Sequence, residues 1–270
     1  MQIFFLRKFF IAFILTACAS NIFAQSTTLK KIENDLVRTY SKIFPFYYGN
    51  HDSLDFYSSL FSEKIRKYID ENPTTLNYSF QKLEDSNVCT IATSGDGLFR
   101  IYSWDTWEGG TMHDFGNIYQ YNANGKIHSK YFTDDDTANL EDVPSIPFYS
   151  KIFTLKANDH TYYLGINNSI FSTRDVGQGI KIFTIEKDTL NDNVKLIKTA
   201  SGLTNEIDVD FDFFTVIDRT NERPITIIKY DPATKIIYIP IVYEDGKVSH
   251  RFILYQFNGQ YFERVPAKKH

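Results

Sequence analysis

The stretch SWDTWEGGTMHDFG, from Ser103 to Gly116, concentrates more groups able to do chemistry than any other part of this sequence. Both tryptophans, Trp104 and Trp107, stand there with Asp105, Glu108, His113 and Asp114, and Gly109 and Gly110 lie between them. Indole rings can lie flat on a sugar or peptide, and carboxylates and an imidazole can bond its polar groups. Trp104, Asp105, Trp107, Glu108, His113 and Asp114 are therefore the candidate ligand-binding residues. The same acids with His113 could instead act as acid and base of a metal-independent hydrolase directed at glycans, because the two carboxyls of such a site need only meet at roughly 5 to 9 Å. Structural duties compete for these residues. Trp104 is core material, adjacent glycines admit positive φ in a turn, and Asp105 can cap that turn through its own backbone.

A second constellation is EIDVDFDFF, in which Glu206, Asp208, Asp210 and Asp212 alternate with Ile207, Val209, Phe211 and Phe213. Period two puts the four carboxylates on one strand face, about 7 Å apart, too spread to converge on calcium, so the expected setting is a solvated outer face. The sequence has no G-x-S-x-G elbow, no G-x-x-x-x-G-K-[ST] loop and no G-x-G-x-x-G. The six histidines show no H-x-x-x-H spacing. Neither a metal nor a cofactor is expected, and no catalytic residue is singled out.

The elements that must position these groups fall into two textures. In residues 28–44, Leu29, Ile32, Leu36, Val37, Tyr40, Ile43 and Phe44 recur at helical spacing, with Pro45 as the stop. Residues 53–72 repeat the pattern with Leu54, Tyr57, Leu60, Phe61, Ile65, Tyr68 and Ile69, opposite a polar face of Glu63, Lys64, Arg66 and Lys67. Leu76, Phe80 and Leu83 suggest a short third helix. From about residue 87 onward, short β-branched and aromatic runs alternate with clusters such as NANG, DPAT and EDG, the signature of tightly joined antiparallel strands. Within the run 98–104, alternation sends Arg100, Tyr102 and Trp104 to one side and Phe99, Ile101 and Ser103 to the other. The long connection 133–147 carries five acids and two prolines and reads as an exposed rim loop.

Residues 1–24 have the layout of an export signal: Arg7 and Lys8, then an apolar run from Phe9 to Ala17, too short for the about 20 residues of a membrane span. Cleavage after Ala24 gives a soluble chain beginning at Gln25. Leu15, Thr16, Ala17 and Cys18 also match the pattern in which a bacterial lipoprotein is cut before an acylated cysteine, making Cys18 a lipidation candidate. Either cut leaves Cys89 as the one cysteine available for a disulfide, which excludes an intrachain bridge, and Cys89 reads as a small buried hydrophobe. Loss of the leader leaves 27 basic against 33 acidic residues, a balance that argues against nucleic acid as a partner and leaves a lipid on Cys18 as the route to a membrane.

The expected organisation is a signal peptide at 1–24, a helical segment at 25–86 and an antiparallel β domain at 87–270. The fold class is mainly β (α+β), the strands forming either propeller-like blades or a two-sheet sandwich. The expected function is a non-catalytic binding or scaffold domain, exported to the periplasm or cell surface, with a saccharide or an envelope protein as partner.

Overall fold

The computed structural model describes residues 27–43, 51–107, 110–132, 145–217 and 224–266. The expected leader with its Ala24 and Cys18 cuts, candidate residue Glu108 and most of the acidic loop at 133–147 lie outside them. Helix α1 covers residues 27–40 and α2 covers His51–Glu71. In place of one third helix, a 3-10 turn at Pro73–Asn77 is followed by the short helix α3, Gln81–Asp85. Phe80 separates the two in the left-handed region, at φ 47°.

The first four strands are β1 (Thr90–Thr93), β2 (Phe99–Asp105), β3 (Phe115–Ala123) and β4 (Lys126–Phe132). The next seven are β5 (Phe148–Ala157), β6 (His160–Ile170), β7 (Asp175–Glu186), β8 (Thr189–Asn191), β9 (Ile197–Thr199), β10 (Gly202–Thr204) and β11 (Glu206–Asp212). The last four are β12 (Lys229–Asp231), β13 (Ile236–Val242), β14 (Val248–Phe257) and β15 (Phe262–Val265). They build three sheets: a meander β1-β2-β3-β4, a central sheet β11-β7-β6-β5 with β8 on β7, and a third sheet β10-β9-β15-β14-β13-β12. Pairing is antiparallel as expected from the tight connections, except that β15 runs parallel to β9.

The chain is mainly β with helices at its N-terminal side. The sheets pack face to face in a sandwich-like arrangement, with a third sheet and a helical layer added to the two sheets expected. Three buried clusters mark the interfaces. Leu36, Phe61, Ile65 and Leu83 of the helices meet Tyr102, Trp104 and Ile118 of the first sheet. Phe99, Ile101 and Tyr119 on the other side of that sheet meet Tyr149, Tyr163 and Phe183 of the central one. Leu164, Ile166, Ile180 and Ile182 of the central sheet then meet Ile197, Ile237, Ile239 and Phe262 of the third.

Strand β2 is buried on both faces because its two sides serve different layers, Phe99 and Ile101 one way and Tyr102 and Trp104 the other. Arg100, buried on the helix side, clamps that layer down. Its Nη1 donates to the carbonyls of Thr75 and Tyr78 at 2.7 and 2.6 Å, and its Nε donates to Thr93 Oγ1 at 2.8 Å. These bonds satisfy the guanidinium where water cannot reach it. Tyr102 completes the clamp, its hydroxyl donating to Thr75 O at 2.9 Å. Cys89 is a buried free thiol, and burial pushes its pKa far up, in keeping with a packing role.

Candidate functional site

The connection from β2 to β3 is closed at its base by Asp114 O, which accepts from Thr106 N at 3.0 Å and from Thr106 Oγ1 at 2.8 Å. Inside it, Asp105 Oδ1 accepts from Trp107 N at 2.8 Å, the local side-chain turn expected of an Asp at this place. Trp107 sits at φ 61° and Gly110 at φ 70°, so the glycine supplies one of the two left-handed positions that reverse the chain.

The other oxygen of Asp105 holds His113, with Nδ1 2.6 Å from Oδ2. The hydrogen bond and the charges of Asp105 and Asp114 raise the imidazole above its usual pKa, against the opposing effect of partial burial. His113 is fixed from its backbone as well, donating N–H to Ile170 O of β6 at 2.9 Å. Trp107 is half-buried, its indole Nε1 donating to the Tyr40 hydroxyl at 2.9 Å while that hydroxyl lies 3.1 Å from the carbonyl of Asp105. Asp105, Trp107 and His113 therefore form one hydrogen-bonded unit that joins α1 to the first sheet. Asp114 takes part through its backbone, and its Oδ1 accepts from Ile146 N at 3.0 Å.

Trp104 does not present a flat apolar face. It is 5% exposed, and a Cβ at Gly116, its cross-strand partner, would collide with the six-membered ring of the indole. Gly116 is the residue that lets the ring lie on the backbone of β3. The indole Nε1 is buried beside Gly116 and has no hydrogen-bond partner among the described residues. An orphan donor of this kind costs roughly 1 to 3 kcal/mol unless something accepts from it.

Trp104, Thr106 and Asp114 contribute to a cleft of about 450 Å3 between α2 and the ends of β2 and β3. The facing wall is the polar side of α2, with Ser58, Ser59, Ser62, Glu63 and Arg66. Arg66 stacks its guanidinium 4.2 Å from the centre of the Tyr131 ring, which holds the cation at the cleft wall. Ser58 is anchored through its Oγ to the carbonyl of Thr106 at 3.0 Å. Of the expected residues, the fold thus brings Trp104 and Asp114 to the cleft and ties Asp105, Trp107 and His113 into the unit behind it. The α2 residues were missed because a polar helix face opposite an apolar one reads as solvated, and only the tertiary fold lays it over β3.

The acid strand β11 lies at the edge of the central sheet with Asp208 and Asp210 exposed, as expected, whereas Glu206 is half-buried and Asp212 is covered. The carboxylates of β11 lie over β7, where Asp208 faces Gly179 and Asp210 faces Gly177. A Cβ at Gly179 would overlap both the Asp208 carboxylate and the Asn167 side chain. Asp208 keeps over a third of its surface in water, but its carboxyl end is turned down onto the glycine and against Glu206. Loss of water there, reinforced by the neighbouring Glu206 charge and hydrogen bond, pushes its pKa up to about 7. Asn167 donates to Glu206, and Lys181 lies 3.9 Å from the same carboxylate. Asp212 is buried and paired with Arg174 at 2.7 Å. Gly177 and Gly179 of β7 make room for these carboxylates, a glycine within a strand marking a close approach.

Among the described residues, no group of three or more His, Cys, Asp or Glu side chains is placed to hold a metal ion, and no helix is long and apolar enough to cross a membrane. No protein-family model, no curated protein and no solved structure matches this chain.

Proposed function

We propose that this protein is an exported, non-catalytic binding module of the cell envelope that holds a neutral saccharide in the cleft between α2 and the β2–β3 hairpin. The observation that carries the reading is the composition of the cleft. The Arg66 guanidinium offers donors, Glu63 and Asp114 offer acceptors, and Ser59 and Ser62 offer both. With charges of both signs and hydroxyls between them, such a lining suits a ligand that is itself donor and acceptor throughout, as a sugar is, and suits a polyanion poorly. Binding is favoured over hydrolysis by the loop acids because Asp105 and Asp114 already accept from Trp107 N, His113 and Ile146 N. Export rests on the leader-like residues 1–24, and retention at a membrane would follow from acylation of Cys18.

The test is a neutral-glycan array on the purified protein beside Arg66→Ala and Trp107→Ala. Binding lost in Arg66→Ala, which faces the cleft, and kept in Trp107→Ala, which stands behind it, is the expected result. A hit that survives Arg66→Ala would place the ligand elsewhere. For export, mass spectrometry of the processed chain discriminates the two routes: a free Gln25 amine marks the soluble form, an acylated Cys18 the anchored one.

A further inference from the structure

Next to the polar cleft lies a pocket of opposite character, about 250 Å3 in volume, walled by Phe148, Ile170, Val176, Phe211, Phe213 and Ile225. It exceeds the roughly 150 Å3 of an apolar cavity that accepts a benzene ring. The two spaces share a wall. Phe115 lines the cleft and Phe148 lines the pocket, and their rings are in contact, with centroids 4.8 Å apart. Ile146 lines the cleft and Phe148, two residues on, lines the pocket, so their Cα atoms lie within about 7 Å of each other. The His113 unit spans the same boundary, its ring centroid 6.4 Å from that of Phe115 and its N–H on Ile170 O of the pocket wall.

A hydrogen-bonding cleft and a phenylalanine-lined pocket at this separation match a ligand with one polyhydroxylated end and one apolar end. We infer that the pocket is the second half of the same binding site and that the ligand is an amphipathic saccharide, its alkyl or aryl group seated among Phe148, Ile170 and Phe213 while the sugar occupies the cleft. This rests on the saccharide reading of the cleft. Burial of each methylene tightens binding by roughly a factor of four, so a chain of a few carbons makes the pocket visible in the affinity.

The experiment compares methyl and n-hexyl glycosides of glucose, galactose, mannose and N-acetylglucosamine, with 1-hexanol as a sugar-free probe, by calorimetry on the full chain and on Thr173→Trp. Thr173 is an exposed residue of the pocket lining, so the added indole fills the pocket without entering the core. For a sugar that binds, the hexyl glycoside should bind about tenfold or more tightly than the methyl one. In Thr173→Trp the hexyl value should fall back to the methyl value, itself unchanged. Equal affinity of the two glycosides in the unaltered protein overturns the inference and leaves the cleft reading standing. Failure of every glycoside, with hexanol still bound by the unaltered protein alone, removes the saccharide reading and the amphipathic ligand with it.

Discussion

At the scale of single residues, the contact between Asp105 and His113 does more than close a turn. Because His113 has a raised pKa in the folded protein, its protonated form is favoured by folding. The stabilisation is complete below the unfolded histidine value of about 6.5 and is lost as pH rises through the folded value. Asp105→Asn keeps an oxygen for Trp107 N but removes the charge, and should cost about 1.5 kcal/mol at pH 6 and clearly less at pH 9. Urea unfolding of both proteins at the two pH values measures this, and equal losses at both would refute the assignment. In the sequence, Asp105 and His113 could be chosen as a polar group worth watching, but nothing in their spacing says that one carboxylate serves both the turn and the imidazole. Trp104 shows the same limit. Its side of β2 was legible from alternation, whereas its close seat on the backbone of β3 depends on Gly116 in the next strand.

Among the elements, α3 shows how a short helix survives without its own cap. Phe80 at its N-cap position provides no side-chain acceptor. The acceptor comes from α1: Glu33, buried, takes the N–H groups of Lys82 and Leu83 on Oε1 at 2.7 and 3.3 Å and the Tyr78 hydroxyl on Oε2 at 3.0 Å. A carboxylate at that end also complements the partial positive charge of the exposed N–H groups. Glu33→Ala should cost about 3 kcal/mol, and Glu33→Gln about half as much because the amide oxygen still accepts. Thermal denaturation ranks the two, and a neutral Glu33→Ala would show that α3 is held by packing alone. The periodicity of residues 28–44 and 53–72 suffices to anticipate α1 and α2, and the alternating runs anticipate the longer strands. The division of residues 73–85 into two turns depends on Glu33 and Arg100, partners from distant elements that no local pattern contains. Strands β8 and β10 escape for a related reason, since Thr189–Asn191 and Gly202–Thr204 are too short to display a period and exist as edges of neighbours already formed.

Over the whole molecule, cohesion depends on polar residues that cross between layers as much as on the apolar clusters. Gln178, buried in the central sheet, donates from Nε2 to Asn168 Oδ1 and Ile225 O at 2.8 and 2.7 Å, and accepts on Oε1 from Ile227 N and Ile228 N, each at 2.8 Å. One side chain thereby satisfies the backbone of the segment that leads into β12. Gln178→Leu fills the space but strands those backbone groups, and should cost about 3 kcal/mol in chemical denaturation; a loss near zero would mean that water replaces the amide. The stacking of layers was only half legible, because alternation says which residues share a face and is silent on which sheet will cover it. The cleft adds a consequence at this scale. Its walls belong to two layers, α2 on one side and the first sheet on the other, so an occupant cross-links them non-covalently. Mass action then couples occupancy to heat resistance: at a concentration about 100 times its dissociation constant, a ligand adds about 2.7 kcal/mol to the folded state. The seam between helices and sheet thus allows the saccharide proposal to be screened against a sugar library by melting temperature alone.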